Sequence, residues 1–422
     1  QTPPRIQCGR LTTTGETVYL LDAPDQFHRP GGPYLDEAGH EWPDNAERFA
    51  LLGWAAAWLS LGADPSWRPD VLHLHDWHTA LAPLYMQLSR TGTRPPAVFT
   101  VHNLAYQGLF PLAAAPRLGL PPAVLQMHGV EFHGRLSFMK AGLQYADAIT
   151  TVSPRYATEI TTPEQGCGLD GVLRARKEHL HGILNGVDYA IWNPATDTLI
   201  EQRYDVRNLS AKAGNRLALQ RLCGLEASPD ALVFGVVSRL SEQKGLHLLP
   251  DVLEEMLGQG GQLVVQGTGD PALEQLLQQA AARHPGRVSL RLAYDEAMAH
   301  RIIAGSDVLL MPSRYEPCGL TQLYALRYGT LPLVHAVGGL ADTVTDCALE
   351  NLDDGSATGM CFDEFSPAGL RRALRRAFAL RRRQADWRKA QRNAMALRFD
   401  WQQAARAYHA LFSRLTNRGA TH

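Results

Sequence analysis

The 422-residue sequence has almost no excess charge: 41 basic side chains face 42 acidic ones, for a net charge of -1. No overall field draws such a chain to a polyanion, so nucleic acid is disfavoured as a partner and any phosphate site must be built locally. Long apolar runs are missing too. None approaches the ~20 residues of a bilayer span, which predicts a soluble protein with no membrane partner. The cysteines (Cys8, Cys167, Cys223, Cys318, Cys347 and Cys361) are scattered without C-x-x-C spacing, and no charged segment followed by an apolar one opens the sequence. That pattern suits reduced thiols in the cytoplasm. Lysine is scarce, with only Lys140, Lys177, Lys212, Lys244 and Lys389 among the cations. A lysine kept in an arginine-rich background is informative, because a compact ammonium and a planar guanidinium do different chemistry. Also absent are D-x-D, G-x-S-x-G and G-x-x-x-x-G-K-[ST] sequences, so a bound diphosphate is expected to be neutralised by protein cations, with no metal and no cofactor. Neither internal repeats nor low-complexity tracts occur, which excludes solenoids and propellers.

What is present is an α/β pattern. Hydrophobic residues make up 45% and charged residues 20%, a globular composition, and the length leaves room for two or three domains. Short apolar runs alternate with amphipathic stretches, which predicts strands over 18–22, 70–75, 97–102, 148–152 and 183–185, then 232–237, 261–266, 288–292, 308–311 and 331–334. Such runs read as parallel strands covered on both faces, in βαβ units. A turn-rich stretch, N-G-V-D-Y-A-I-W-N-P-A-T-D from Asn185, separates the two series and marks a domain junction. The expected architecture is two facing Rossmann-like doubly wound domains, 1–190 and 195–395, with a final helix over 396–422 packing back onto the first. Over 366–383, Ser366 is placed as N-cap, Pro367 as the first helical residue, and Leu370, Leu374, Ala377 and Phe378 as an apolar stripe. The arginines of that segment then form the solvated face of a sheet-covering helix rather than a membrane or nucleic-acid element.

Two strand ends in the second series carry chemistry. Arg239 and Lys244 fall just past the strand 232–237, ahead of Gly245 and a helix start. In doubly wound sheets ligands bind at that carboxyl edge. Arg239 can engage two phosphate oxygens while Lys244 adds a point charge where leaving-group charge develops, so the pair reads as a diphosphate clamp, with a surface ion-pair loop as the competing account. After 308–311, Glu316 lies in a Pro- and Gly-containing loop before the apolar residues Leu320, Leu323 and Leu326. The backbone N–H groups of Cys318, Gly319 and Leu320 are expected to be free at that helix start, so a carboxylate and amides line one sugar-phosphate pocket; the alternative is a carboxylate that merely caps the helix.

In the first series, H-L-H-D-W-H-T from His73 puts His73 and His75 on one strand face and Asp76, Trp77 and His78 at the strand end. The H-x-H-x-x-H spacing invites zinc, but strand-end polar residues of a parallel sheet more often line an organic-ligand cleft. Trp77 is expected to stack on a sugar ring. His102 and Asn103 end the next strand and belong to the same cleft.

The stretches R-P-G-G-P-Y at 29–34, W-P-D-N-A-E-R-F at 42–49, H-D-W-H at 75–78, F-T-V-H-N-L-A-Y-Q-G at 99–108, S-F-M-K-A-G at 137–142, T-V-S-P at 151–154, I-L-N-G-V-D at 183–188, S-R-L-S-E-Q-K-G at 238–245, E-P-C-G-L-T-Q at 316–322 and G-G-L-A-D-T-V at 338–344 resemble bacterial glycogen synthases and plant starch synthases. The likeness runs from about residue 17 to the C-terminus. It implies a GT-B fold and a retaining glucosyltransferase that extends an α-1,4-glucan from ADP-glucose. By the same resemblance, the phosphate-neutralising pair falls on Arg239 and Lys244 and the donor-glucose carboxylate on Glu316. His102 matches the histidine beside the glucose, Asp76 the catalytic-cleft aspartate, Asn185 and Tyr34 further cleft contacts, and Tyr294 the position near the adenine. The amides of Cys318, Gly319 and Leu320, with Trp77, Asn103 and Thr321, complete the implied substrate-binding set.

Two departures stand out. Family members open with a short strand and a K-x-G-G-L loop that contacts the donor diphosphate; neither precedes the Q-T-P-P-R-I-Q-C-G-R start, so the first domain is expected to lack its opening strand or strands. The E-x7-E pattern of other retaining GT-B enzymes is incomplete, because Tyr324 stands where its second glutamate belongs. The leading expectation is a glucosyltransferase with ADP-glucose and glucan as partners. The runner-up is an impaired or purely glucan- or ADP-binding relative, and a third reading is a GT-B sugar-nucleotide epimerase, against which the glucan-synthase motifs argue.

Overall fold

A computed structural model describes residues 3–89 and 93–419. The chain divides into two units: the first takes the described residues within Gln1–Thr151, Ala157–Gly182 and Tyr408–His422, and the second Val152–Tyr156 with Ile183–Ala407.

The first unit opens with β1 (Arg5–Arg10) and β2 (Thr17–Asp22), paired antiparallel. Then follow β3 (Leu72–His75), β4 (Ala97–Val101), β5 (Leu109–Pro111), β6 (Glu131–Phe132), β7 (Arg135–Ser137), β8 (Ala148–Thr151) and β9 (Leu180–Gly182). The parallel sheet has the order β3-β4-β8-β9, and β5, β7 and β6 form a small antiparallel one. β4 is buried along its whole length, as its unbroken A-V-F-T-V run requires. Leu411, Phe412 and Leu415 of the helix Trp401–Gly419 pack around Val98 and Ala148.

Two predicted strands are corrected. The run 18–22 is not a covered parallel strand: it pairs with the polar sequence R-I-Q-C-G-R across a tight turn, in which the N–H of Leu11 donates to Glu16 O, and most of β2 is exposed or half-buried. The strand expected at 183–185 lies earlier, at Leu180–Gly182, where it pairs with Ile149–Thr151; the chain passes to the second unit from Ile183.

The second unit contains β10 (Leu232–Val237), β11 (Gly261–Gln266), β12 (Val288–Arg291), β13 (Val308–Met311), β14 (Leu331–His335) and β15 (Met360–Phe362). All pairings are parallel, in the order β12-β11-β10-β13-β14-β15, so the direction of strand addition reverses between β10 and β13. Phe234, Val265, Leu310 and Leu333 face one continuous core, each such burial contributing ~1.5–3 kcal/mol. The helix Pro367–Arg382 covers that core as its pattern predicts. Ser366 Oγ accepts from the N–H of Gly369 at 3.1 Å, and Leu370, Leu374, Ala377 and Phe378 are buried.

Candidate active site

Both chemistry-bearing loops of the second unit leave the carboxyl edge of its sheet at the reversal between β10 and β13. Open α/β sheets bind ligands at such a point, because the loops on either side diverge and leave a crevice. After β10, the N–H of Ser238 donates to Gln266 O (3.1 Å) and that of Leu240 to Thr268 O (2.9 Å), which pins the backbone on both sides of Arg239. Lys244 ends a short 3-10 turn, and Gly245 turns the chain at φ +67°. A Cβ on Gly245 would stand 1.9 Å from Pro312 O, so only glycine lets this loop lie against the end of β13.

That approach brings Lys244 to Glu316. Lys244 Nζ donates to Glu316 Oε2 at 2.6 Å and Ser313 Oγ donates to the same oxygen at 2.9 Å, with Glu316 only 5% exposed. The carboxylate therefore does not cap the helix Thr321–Arg327, whose N-terminus no side chain caps. Gln322 Nε2 donates to Cys318 O (2.9 Å) and Gly319 O (3.1 Å), folding the loop so that the N–H groups of Cys318, Gly319 and Leu320 have no acceptor among the described residues. The Cys318 thiol points inward. Burial pushes it up to about 11, against the opposing effect of a backbone hydrogen bond from Asn185, which places Asn185 beside this loop. Leu323 and Leu326 are buried as expected, while Leu320 stays 38% exposed ahead of the helix.

Beside Arg239 lies a cavity of about 360 Å³, lined also by Gln266, Tyr294, Thr321, Tyr324 and Trp192. Trp192 is sandwiched between Tyr324 (ring centroids 3.9 Å apart, planes 1°) and His300 (3.7 Å, 14°). His300 Nδ1 and Tyr328 Oη both meet Asp197 Oδ2, at 2.7 and 2.6 Å, which fixes the stack from behind. Tyr294 is almost fully exposed.

In the first unit, Asp76 takes a left-handed backbone (φ +56°), a conformation aspartate tolerates better than most residues. Its Oδ1 accepts the N–H of His102 at 2.8 Å, tying the ends of β3 and β4 together. His75 Nδ1 and His102 Nε2 share a hydrogen bond of 3.0 Å, so the side chain of His102 is held through His75. Burial, then the charges of Asp76 and Tyr106, raise the Tyr34 hydroxyl above its ordinary value, in keeping with a ring 5.4 Å from His78. Asn103 Oδ1 accepts from the N–H of Ala105 at 3.1 Å, turning the chain after β4. His73 Nε2 instead faces Thr100 Oγ1 at 2.7 Å. Among the described residues no group of three or more metal-binding side chains converges.

Residues 3–175 match a family model described as starch synthase catalytic domain, and residues 225–394 one described as glycosyl transferases group 1. The chain is 59% identical over 400 residues to the glycogen synthase of Albidiferax ferrireducens, covering 94% of this chain and 81% of that protein. It is 55% identical over 414 residues to the glycogen synthase of Francisella philomiragia, covering 97% and 85%. The chain belongs to the glycogen and starch synthase family. Its fold is GT-B and its activity class is hexosyltransferase. The catalytic domain of starch synthase IV from Arabidopsis thaliana, solved bound to ADP and acarbose, is similar at TM-score 0.88 and 31% identity, over 98% of this chain and 85% of that one. Sucrose-phosphate synthase from Thermosynechococcus elongatus shares the fold alone, at TM-score 0.57 and 19% identity over 91% and 81%.

For a glycogen synthase relative, one expected contact is corrected. Trp77, predicted to stack on a sugar, is 9% exposed, with Phe49 edge-on at 4.6 Å and His78 stacked at 4.3 Å. It is a core residue, packed also against Phe110 and Phe138. Tyr324, where other retaining GT-B enzymes carry the second glutamate of the E-x7-E pattern, proves to be a wall of the aromatic stack. Sequence reasoning missed Trp192, Ser313 and Gln322. Trp192 sat inside a turn-rich stretch read only as a junction, while Gln322 lay in a quoted motif without a role.

Proposed function

We propose that this family member transfers glucose from ADP-glucose to the non-reducing end of an α-1,4-glucan with retention of configuration. The observation that carries the reading is the Lys244–Glu316 pair, which joins the loops after β10 and β13 at the reversal of strand order in the second sheet. Arg239 and Lys244 neutralise the departing diphosphate, which needs fixed positive charge most as the glycosidic bond breaks. A diphosphate competes with Glu316 for the Lys244 ammonium, and a carboxylate released in this way accepts hydrogen bonds from glucose hydroxyls. The N–H groups of Cys318, Gly319 and Leu320 bind sugar and phosphate oxygens, while Tyr294, Thr321 and the Trp192–Tyr324 stack hold the base. Asp76, His102, Asn103 and Tyr34 are the substrate residues assigned in the first unit, and Asn185 is one assigned in the second. With no carboxylate assigned as nucleophile, the acceptor 4-hydroxyl attacks on the face the diphosphate leaves, through an oxocarbenium-like state. No metal ion takes part, and the reaction runs in the cytoplasm.

The test is incorporation of radiolabel from ADP-glucose into glycogen, with and without EDTA. We expect labelled polymer in both, and a fall in kcat of about 10²- to 10³-fold in Arg239→Ala and in Lys244→Ala with glucan retention unchanged. Full turnover in both variants, or loss of transfer on chelation, would overturn the assignment. Release of an altered sugar nucleotide with no polymer would favour an epimerase.

A further inference from the structure

At the opposite, amino-terminal edge of the second sheet lies a cavity of about 260 Å³, between the start of the helix Lys212–Leu222 and the turn that joins Pro367–Arg382 to Gln384–Ala396. Asp307, immediately before β13, anchors its floor: Oδ2 accepts the N–H of Val233 at 3.0 Å and Oδ1 lies 3.3 Å from Arg216 Nη1. Three guanidinium groups, of Arg216, Arg381 and Arg388, line the cavity against this single carboxylate. Most arginines of the helix Pro367–Arg382 hold an acid, and Arg382, which among the described residues holds none, does not line the cavity. Arg371 and Arg375 share Glu255, Arg372 holds Glu364 and Arg376 holds Asp346. Among the described residues, no carboxylate pairs with Arg381 or Arg388. The positive end of a helix dipole adds to them, since no side chain caps Lys212–Leu222 and its first turn holds no acid. Lys212 is occupied elsewhere, donating to Ala304 O at 2.7 Å and Thr330 Oγ1 at 2.6 Å. One wall is the buried Trp387, with the Arg381 guanidinium 5.6 Å above its ring, and Gln384 and Ser210 offer neutral hydrogen-bonding groups.

We propose that this cavity binds a small phosphate monoester of a polyhydroxylated compound, a sugar phosphate, at a site separate from the diphosphate clamp. Two guanidinium groups without a counter-ion and an uncapped helix start match a dianion, and planar forks engage a tetrahedral oxyanion two oxygens at a time. The cavity exceeds what a bare phosphate fills, and an indole wall with amide and hydroxyl groups suits a sugar ring. The site lies wholly within the second unit and does not depend on the donor or acceptor assigned above.

Isothermal titration of the full chain, held in saturating ADP so that the Arg239 and Lys244 region is filled, separates this site from the clamp. The probes are a hexose 6-phosphate, inorganic phosphate and the unphosphorylated hexose. We expect one saturable site for the hexose phosphate, at least tenfold tighter than for inorganic phosphate, and no heat from the free hexose. Arg381→Gln/Arg388→Gln should weaken it at least tenfold while ADP affinity stays unchanged. If that variant does not fold, Arg388→Glu at its exposed position must produce the same loss. Absence of binding, equal affinity for ester and inorganic phosphate, or binding untouched by these substitutions would each overturn the proposal.

Discussion

His73 shows how one side chain ties the first unit to pH. Burial first, then the neighbouring His75 and His102, pushes its pKa from an ordinary 6.5 to about 4, while its ring packs against Tyr408 and Phe412. Between those two values the unfolded chain binds a proton that the folded chain refuses, so stability is complete above pH 6.5 and falls as the pH drops toward 4. The loss from this residue is bounded by about 3 kcal/mol, and partial exposure to solvent makes it smaller. Urea midpoints measured across that window should decline, and His73→Asn should flatten the decline; an unchanged slope would remove His73 from the account. At this scale the sequence was legible where chemistry is local. Lys244 and Glu316 stand in short loops after strongly patterned strands, and their meeting follows from strand order. Trp77 and Tyr324 were misread or left without a role because both are decided by packing against residues distant in the chain.

Among the elements, the turn after β10 is the most constrained, since Gly245 combines a left-handed backbone with a carbonyl where a Cβ would go. Gly245→Ala should cost about 1–3 kcal/mol in backbone strain, and more as the loop is driven off β13 and Lys244 from Glu316. Gly260→Ala is the control, with φ +89° and open space around it, so it meets the strain alone. We expect a lower melting temperature in both variants and weaker ADP binding only in Gly245→Ala; equal ADP affinities would show that the turn does not position the clamp. Strands β10 to β14 were readable because a strand buried on both faces must be a continuous apolar run, and that signal is local. The three-residue β15 and the polar β1 were not, being too short or too polar to stand apart from loop, and β2 was read as a strand but given the wrong kind of partner.

For the whole molecule, the GT-B fold and family followed from motifs kept in order along nearly the entire chain, whereas which residues join which unit required the structure. The first unit is assembled from three stretches, the last beginning at Tyr408. On a ribosome its sheet is complete in sequence once Gly182 has emerged, yet Leu411 and Phe412, which cover Val98 and Ala148, come only after residues 183 to 407, which number 225. At ~5–20 residues per second that is roughly 10–45 s of translation. Limited proteolysis of nascent chains arrested on a linker long enough for residue 407, but no later residue of the protein, to clear the exit tunnel should find the second unit protected and the first still cut; equal protection would refute this order. The half of the protein synthesised later is then the first to finish folding, and the earlier half waits, with an apolar face uncovered, in the care of whatever holds nascent chains apart.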